Sequence, residues 1–368
     1  MTCGRSWICV AVILGVGGCH SLDDQADEAP VPMAGVVGPV SRAPAGPPRS
    51  VGINPRLLRR FRLVAGMAPN GGPVPKPEVS ALGRMLWYEP RLSRAGQLSC
   101  NSCHDLATYG VDHRPTPVGN QGHPGRRNAP TVFNAAGQFA QFWDGRANTL
   151  EEQASEPILN PLEMAASTES AEAALRSIPE YRALFQQAFP GEAQPVTLPN
   201  VARALAAFER GLVTRSRWDD YLAGDTGALE PDELQGLRVF LNVGCMACHT
   251  GPQVGASMFK VAGFVEAWPD QRDQGRYEVT GRPADRMVFK VPTMKNVAVT
   301  GPYFHDGACA DLRQAVRLMG RHQLGVDLSE SEVGSIVAFL GALTGELPRD
   351  TIARPPLPGL DGGERRTP

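Results

Sequence analysis

The motif CNSCH at residues 100–104 recurs as CMACH at residues 245–249. Both have the form Cys-x-x-Cys-His, by which c-type haem is attached to a protein chain. In that attachment the two thiols add to the two vinyl groups of the haem, and the histidine reaches the iron because it lies one helical turn after the first cysteine. We therefore predict two covalently attached haem groups. The residues predicted to hold them are Cys100, Cys103 and His104 for one, and Cys245, Cys248 and His249 for the other.

Zinc and disulfide bonds are the competing explanations of the cysteine pairs. Zinc needs four ligands drawn from similar motifs. An exported protein could oxidise each pair to a disulfide, but the histidine after each pair argues against this. Two copies of the motif, 145 residues apart, favour haem. Cys309 belongs to neither motif, and we predict a free thiol there without an assigned role.

The composition is that of a soluble globular protein with long connections. The chain has 368 residues, enough for two domains of ordinary size. Hydrophobic residues make up 42% and charged residues 20%. The formal net charge of −2 gives no reason to expect nucleic acid as a partner. Glycine (40 residues) and proline (33 residues) are abundant, which predicts long loops.

The first residues have the pattern of an export signal. Arg5 supplies a positive charge, and residues 7–16 form an apolar run of about ten residues, too short to span a bilayer but typical of a secretory signal. Small residues precede Cys19, as in a bacterial lipoprotein signal that is cut before a lipidated cysteine. The alternative is an ordinary signal peptide. Either way we predict export to the periplasm, with membrane attachment if Cys19 is lipidated.

Composition also divides the rest of the chain. After a signal peptide at residues 1–18, residues 19–55 are rich in Pro, Ala and Gly, which predicts a flexible tether. Residues 350–368 are predicted to be a flexible tail. Helix signals are frequent and strand signals sparse between them. We predict a mainly α fold with two cytochrome c-type haem domains, an N-terminal one at 56–222 and a C-terminal one at 223–349.

Some helices can be predicted individually. A hydrophobic stripe at helical spacing predicts one helix, and proline or capping-box patterns predict the starts of three others. The stripe is Val201, Leu205, Phe208 and Leu212, and the predicted starts are Thr149 with Glu152, Pro231, and Ser329 with Glu332.

Each haem has a second axial position on its iron. Met319 shares a helical face with Leu312 and Val316, downstream of the second motif, and is a candidate ligand there. His305 and His322 would compete with it, and a methionine at helical spacing is also common core filling. A haem with one methionine and one histidine ligand has a higher potential, which suits electron transfer.

Five segments together carry a resemblance to a known family. They are LGRMLWYEPRLSRAGQLSCNSCHDLATYGVD, RRNAPTVFNAAGQFAQFWDGRANTLEEQA, NPLEM, NVAVTGPYFHDG and AVRLMGRHQLG. Their order and spacing resemble the bacterial di-haem cytochrome c peroxidases from about Ala81 to Leu347, over 70% of the chain. This family reduces hydrogen peroxide to water with electrons from a small periplasmic redox protein, a cytochrome c or a cupredoxin. Its members are commonly homodimers.

The resemblance implies a role for each haem and for two polar side chains. The haem at residues 100–104 would react with peroxide. The haem at residues 245–249 would transfer electrons, with Met319 as its sixth ligand. Glu163 matches the family's acid–base glutamate, which is needed because splitting peroxide moves a proton to the leaving oxygen. Gln153 matches a residue that lies in the same pocket in relatives and orients peroxide.

The resemblance also implies residues between the haems. Trp143 matches the tryptophan that bridges them in the family. Asn128, Thr300 and Pro302 match positions around an inter-haem calcium ion, the last two through backbone oxygens. Calcium takes oxygen ligands and keeps several waters, which fits so few protein donors.

The loop GNQGHPGRRN at residues 119–128 departs from the family pattern. Many relatives place a histidine, which caps the oxidised peroxide-reacting iron, where this chain has Asn120, and some use the next position, here Gln121. His123 lies three residues later and is a possible distal ligand, as is His113. Pro124 restricts the backbone of His123. Without a distal histidine the haem is expected to be open, and no reductive activation is expected to be needed.

Two other functions stay open. A non-catalytic di-haem electron carrier or redox sensor is possible if His123 seals the iron permanently, although Glu163 speaks against it. A MauG-type enzyme, which oxidises a partner protein, has tyrosine at the position of Met319. We therefore expect a cytochrome c peroxidase.

Overall fold

The computed structural model describes residues 53–62 and 74–360. The predicted signal peptide, Cys19 and the predicted tether up to residue 52 lie outside these ranges. Within them, no helix is sufficiently long and apolar to span a membrane.

The described residues are mainly helical, as the sequence predicts. The helices are α1 (Pro55–Leu58), α2 (Pro77–Trp87), α3 (Cys100–Cys103), α4 (Leu150–Leu159), α5 (Thr168–Arg176), α6 (Pro179–Ala188), α7 (Leu198–Glu209), α8 (Arg217–Ala223), α9 (Pro231–Val243), α10 (Tyr277–Thr280), α11 (Leu312–Met319), α12 (Glu330–Gly341) and α13 (Arg349–Ile352). A π-helical turn, Gly320–Leu324, continues α11. Strands β1 (Phe259–Val261) and β2 (Val288–Lys290) pair antiparallel, with Phe259 opposite Lys290.

The first hydrophobic core is formed around α2, α4 and α7. All four residues of the predicted stripe are buried in it. Helix α2 approaches α7 closely at Gly83, where a β-carbon would lie 1.8 Å from the carbonyl oxygen of Ala204. Glycine at this position therefore allows the two helix backbones to touch. The paired helices lie on one side of the first haem motif.

The second hydrophobic core is formed around α9 and α12. Trp218 packs edge-on against Phe339 of α12, with ring centroids 5.3 Å apart. Gly236 of α9 meets Ser335 of α12, since a β-carbon on Gly236 would lie 1.9 Å from the Ser335 carbonyl oxygen. The second haem motif follows directly after α9, so this helix pair positions it.

The predicted helix starts are confirmed. Pro231 is the first residue of α9. The side chain of Thr149 accepts a hydrogen bond from the backbone N–H of Glu152 at the start of α4, and Ser329 and Glu332 form the expected capping box at α12.

The two cores lie largely in the two predicted haem domains, whose boundaries stay predictions. Phe61 and Trp218 are exceptions to that division. Both belong by prediction to the N-terminal domain, but they pack against each other in the second core, with ring centroids 5.3 Å apart.

Residues 350–360, part of the predicted flexible tail, make defined contacts, and the flexibility of the tail stays a prediction. Helix α13 and residues 353–360 pack against α2 and the turn that follows α2. Arg84 donates to the carbonyl oxygen of Asp350 at 3.1 Å, and Arg91 donates to that of Pro358 at 2.8 Å. Leu357 is 2% exposed. These contacts join residues more than 260 positions apart, so local composition could not reveal them.

Candidate functional site

The first motif forms a single helical turn. Helix α3 begins after Ser99, whose backbone N–H donates to Ser102 Oγ at 3.0 Å. The backbone N–H of His104 donates to the carbonyl oxygen of Cys100 at 3.0 Å, so the histidine lies one turn after the first cysteine, as predicted. His104 Nδ1 donates to the carbonyl oxygen of Gly110 at 3.2 Å. This bond leaves Nε2 as the nitrogen that can bind a metal.

A cavity, called here the first cavity, lies beside this turn. Its walls include Cys100, Cys103 and His104 and come otherwise from α2, α4, α7 and the loop at 117–125. The empty space is about 710 Å³, part of it open to solvent. Burial lowers the pKa of His104, which favours the neutral imidazole that binds metals. The cavity therefore combines two thiols with a neutral histidine oriented by its backbone partner.

Glu163 and Gln153 line the same first cavity, as the sequence analysis predicts for a common pocket. Gln153 lies on α4, and Glu163 lies in the turn just after it. Asn160 Nδ2 donates to Glu163 Oε1 at 2.8 Å, which fixes the carboxyl group. Burial raises the pKa of Glu163, while the charge of Arg146 acts in the opposite direction. The carboxyl group is therefore able to hold a proton at a higher pH than an exposed glutamate.

The loop at residues 119–128 packs on the Glu163 turn. The backbone N–H of Asn120 donates to the carbonyl oxygen of Glu163 at 2.7 Å. A β-carbon on Gly119 would lie 1.9 Å from the carbonyl oxygen of Leu162, so glycine permits this close contact. Gly119 thus lines the first cavity, and the backbone of the loop, not a long side chain, closes that side of it.

His123 and His113 are not brought to the first cavity. His123 is exposed, and its Nδ1 lies 2.8 Å from the carbonyl oxygen of Asn120 in its own loop. His113 is also exposed, with Nδ1 2.8 Å from the carbonyl oxygen of Gly301. Among the described residues, His104 is the one histidine in the cavity wall. Ligation by His123 stays a prediction that this arrangement does not support.

The second motif follows α9. Gly244, with φ of 106°, ends the helix in the left-handed conformation that glycine favours. The chain then turns so that the backbone N–H of His249 donates to the carbonyl oxygen of Cys245 at 3.0 Å. Burial lowers the pKa of His249 to about 4, so its imidazole is neutral at physiological pH.

A second cavity of about 1590 Å³, part of it open to solvent, adjoins this motif. Cys245, Cys248, His249 and Met319 all line it. Met319 is the last residue of α11, so its side chain reaches the cavity from a different element than the motif does. His249 and Met319, the predicted ligand pair of the second haem, therefore both line the second cavity.

The two competing histidines differ in their placement. His322 is buried outside the second cavity, with Nδ1 3.1 Å from the carbonyl oxygen of Glu266 and its ring against Trp268. His305 does line the cavity and stacks on Phe289, with ring centroids 4.3 Å apart. His322 is therefore disfavoured as a ligand, while Met319 and His305 both have access.

The predicted bridging and calcium residues share the wall of the second cavity. Trp143 Nε1 donates to the carbonyl oxygen of Asn128 at 3.0 Å. Asn128, Thr300 and Pro302 line the cavity together with Trp143. Trp143 is not in the wall of the first cavity. The three predicted calcium positions therefore line the same cavity as the tryptophan, and calcium binding there stays a prediction.

The cysteines do not support the competing explanations. Cys100, Cys103, Cys245, Cys248 and Cys309 are free thiols. Over residues 53–62 and 74–360, no group of three or more His, Cys, Asp or Glu side chains is arranged to hold a metal ion, as zinc would require. Burial raises the pKa of Cys103 to about 11 and that of Cys245 to about 12. Two pairs of free cysteines, each beside a neutral histidine at a cavity, fit the attachment of haem through thioether bonds.

Comparison with known proteins identifies the family. A family model described as di-haem cytochrome c peroxidase matches residues 77–227. A cytochrome c551 peroxidase of Nitrosomonas europaea is 47% identical over 273 residues, which are 74% of this chain and 81% of that protein. The chain belongs to the di-haem cytochrome c peroxidase family. The predicted family and the predicted class of enzyme, a cytochrome c peroxidase, are thereby confirmed.

Two further comparisons place the chain within this family. A cytochrome c551 peroxidase of Pseudomonas aeruginosa is 46% identical over 274 residues, which are 73% of this chain and 79% of that protein. The solved structure of a MauG-like protein associated with microbial copper homeostasis superimposes with a TM-score of 0.71. The match covers 80% of this chain and 98% of the MauG-like chain, at 28% identity. The higher identity to the peroxidases agrees with the preference for the peroxidase branch of the di-haem family.

Sequence reasoning missed two charged residues in the cavities of this family member. Glu209 lines the first cavity and is 5% exposed, and burial raises its pKa to about 8. It lies four residues after Leu205, so the hydrophobic stripe on α7 could have revealed it. Lys290 lines the second cavity and is 7% exposed. In the sequence, Lys290 could be recognised as a lysine inside the apolar run MVFKVP.

Proposed function

We propose that the protein reduces hydrogen peroxide to water in the periplasm, with electrons from a small redox protein, a cytochrome c or a cupredoxin. The observation that carries the proposal is the first cavity, where Glu163 and Gln153 share the wall with His104. The names of the relatives at 46–47% identity, cytochrome c551 peroxidases, support it. The donor and the location are inferred from the family resemblance and from the export signal.

Each cavity has the residues to hold one haem c. Cys100, Cys103 and His104 would hold it in the first cavity, and Cys245, Cys248, His249 and Met319 in the second. Bound there, the haems supply the iron that accepts peroxide and the iron that passes electrons. Among the described residues, the first cavity is lined by no histidine besides His104.

Glu163 is proposed to move the proton that peroxide cleavage requires. As a carboxylate it accepts the proton from one peroxide oxygen, and as an acid it returns the proton to the leaving oxygen. Its raised pKa suits both halves of this task. Asn160 holds one carboxyl oxygen, so the other oxygen is free for the substrate. Gln153 is proposed to orient the peroxide from the neighbouring position on α4.

The first site is proposed to be open in the fully oxidised protein. The position that carries a capping histidine in many relatives is Asn120, which is buried and engaged through its backbone with Glu163. His123 lies on the exposed side of the same loop. Peroxide then has access without prior reduction of the other haem, and the protein needs no reductive activation.

The second site is proposed to store and pass electrons. Met319 and His249 line the same cavity from different elements, so both would be able to bind the iron of a haem held there. Trp143 is proposed to lie on the route between the haems. Calcium is proposed beside it, at Asn128 and the backbone oxygens of Thr300 and Pro302. Lipidation of Cys19 and formation of a homodimer are further proposals that rest on the sequence and the resemblance.

A non-catalytic carrier or sensor is the second candidate function. It would require a side chain that seals the first site, and the exposed position of His123 disfavours this. A MauG-like protein oxidase is weaker still, because the position that carries a tyrosine in MauG-type enzymes is Met319 in this chain, and Met319 lines the second cavity.

Peroxide consumption by the haem-loaded protein with a reduced cytochrome c as donor tests the proposal. We expect turnover that Glu163→Gln lowers by about 10²-fold or more. Glu180→Gln, an exposed glutamate on α6, is the matched control and should keep full turnover. Absence of turnover in a protein that carries both haems would favour the carrier or sensor.

A further inference from the structure

Lys290 is a buried lysine in the wall of the second cavity. It is the last residue of β2, and its backbone N–H donates to the carbonyl oxygen of Trp143 at 2.7 Å. Its side chain is almost fully buried, with 7% of the residue exposed. This hydrogen bond joins β2 to Trp143, and Lys290 and Trp143 both line the second cavity.

The ammonium group has no anionic partner among the described residues. Its hydrogen bond goes to the neutral amide oxygen of Gln138. The nearest carboxylate that influences it is Asp144, which is already ion-paired with Arg127 and Arg146. Burial lowers the pKa of Lys290 to about 7. A buried ammonium group is stabilised by a counter-ion, so this position favours an anion.

The cofactor proposed for this cavity carries suitable anions. A haem has two propionate groups, on the edge opposite the vinyl groups that cysteines bind. Cys245 and Lys290 both line the second cavity, but from different elements, the motif that follows α9 and strand β2. Attachment of the haem at one edge and pairing at the other would require such a separation.

We propose that Lys290 is the counter-cation of a propionate of the second haem and that its charge raises the midpoint potential of that haem. This inference rests on the proposed function, which places a haem in the second cavity. A fixed positive charge near the iron favours the reduced state, because reduction removes one unit of positive charge from the iron. Lys290 is thus a positioning and tuning residue of the electron-storing site.

Potentiometric titration of the haem-loaded protein, followed by its visible spectrum, tests the inference. We expect Lys290→Met to lower the midpoint potential of the second haem by about 59 mV, which is a tenfold change in its redox equilibrium constant. The potential of the first haem should change less. Lys290→Gln should give the same direction of shift.

Lys260→Met is the matched control. Lys260 also lines the second cavity, on β1, but it is only half-buried, and its ammonium group lies 3.7 Å from the ring centroid of the exposed Phe264. Solvent screens its charge, so the shift should be clearly smaller than that of Lys290→Met. Equal shifts for both variants, or no shift for Lys290→Met, would overturn the inference.

A crystal structure of the unmutated haem-loaded protein gives a second test that needs no variant. The inference expects Lys290 Nζ within ion-pair distance of a propionate oxygen of the second haem. An ammonium group that points away from both propionates would overturn it. A protein with two haems and an unpaired Lys290 leaves the proposed function standing, whereas a protein that binds no haem removes both.

Discussion

At the scale of single residues, Glu163 combines access to the first cavity with a raised pKa. The carboxylate form must accept the first proton, so peroxide reduction should fall as the pH decreases through the pKa of Glu163. Because burial raises that pKa above the ordinary glutamate value of 4.5, the fall should begin at a higher pH than for an exposed glutamate. The pH profile of kcat/KM measures this. In Glu163→Gln the residual activity should lack this acidic limb, and an unchanged limb would exclude Glu163 as the base.

Met319 is the second residue with a specific expected effect. Met319→Leu should remove the sixth ligand of the second haem and lower its midpoint potential, since methionine ligation raises it. Absorption spectra and potentiometry measure both effects. Met287→Leu is the control, because Met287 is buried in the same hydrophobic cluster but does not line the second cavity. Identical spectra for Met319→Leu and the unmutated protein would transfer the ligand role to His305.

Predictions about single residues succeeded where the residue's hydrogen-bond partner lies close to it in the chain. The turns from Cys100 to His104 and from Cys245 to His249 follow from motif spacing. The choice between Met319 and His322 could not be made from spacing, because the carbonyl oxygen that engages His322 belongs to Glu266, 56 residues away. The exposed position of His123 likewise depends on how its loop packs on the distant Glu163 turn.

At the scale of elements, the loop at residues 119–128 is held against the Glu163 turn by a backbone contact. Gly119→Ala would place a β-carbon 1.9 Å from the carbonyl oxygen of Leu162 if nothing moved. The loop or the turn must therefore shift, and we expect slower reaction with peroxide at unchanged haem content. Stopped-flow rates and a haem assay measure the two quantities.

Gly122→Asn is the control for that loop. A β-carbon at Gly122 meets nothing within 4 Å, and asparagine tolerates its φ of +81°. This variant should react with peroxide as the unmutated protein does. Equal rates for both variants would show that the contact between the loop and the turn does not matter for the site.

Residues 350–360, part of the predicted flexible tail, make contacts that local composition does not indicate. Leu357 is buried, so Leu357→Ala should lower the free energy of unfolding by about 2 kcal/mol or more. Leu360→Ala, at a residue that is 44% exposed, should change it by much less. Chemical denaturation measures both. Equal stability of the two variants would favour the flexible tail that the sequence predicts.

The elements that were predictable have local causes. Helix α7 follows from its hydrophobic stripe, and α4, α9 and α12 follow from their first residues. The packing of α13 on α2 has no such local signal, since Arg84 and Asp350 are 266 positions apart. Proline and glycine in the tail favour irregular backbone, but irregular backbone can still be tightly packed.

At the scale of the whole molecule, two hydrophobic cores each support one haem motif and one cavity. The motifs predicted this arrangement because each haem supplies much of the apolar interior around it. In the sequence, Glu209 and Lys290 stand out only as single ionisable residues within otherwise apolar patterns, and these patterns do not show that both are buried at a cavity. Their position in the cavity walls became visible only with the tertiary structure.

The central claim is that the first site is open in the resting protein and reacts with peroxide. Stopped-flow mixing of hydrogen peroxide with the fully oxidised and with the half-reduced protein, followed by the haem spectrum, tests it most directly. The account predicts rapid reaction of both forms. Rapid reaction of the half-reduced form alone would contradict the open site and point to a loop histidine such as His123 as a cap. If neither form reacted, the peroxidase function itself would be wrong.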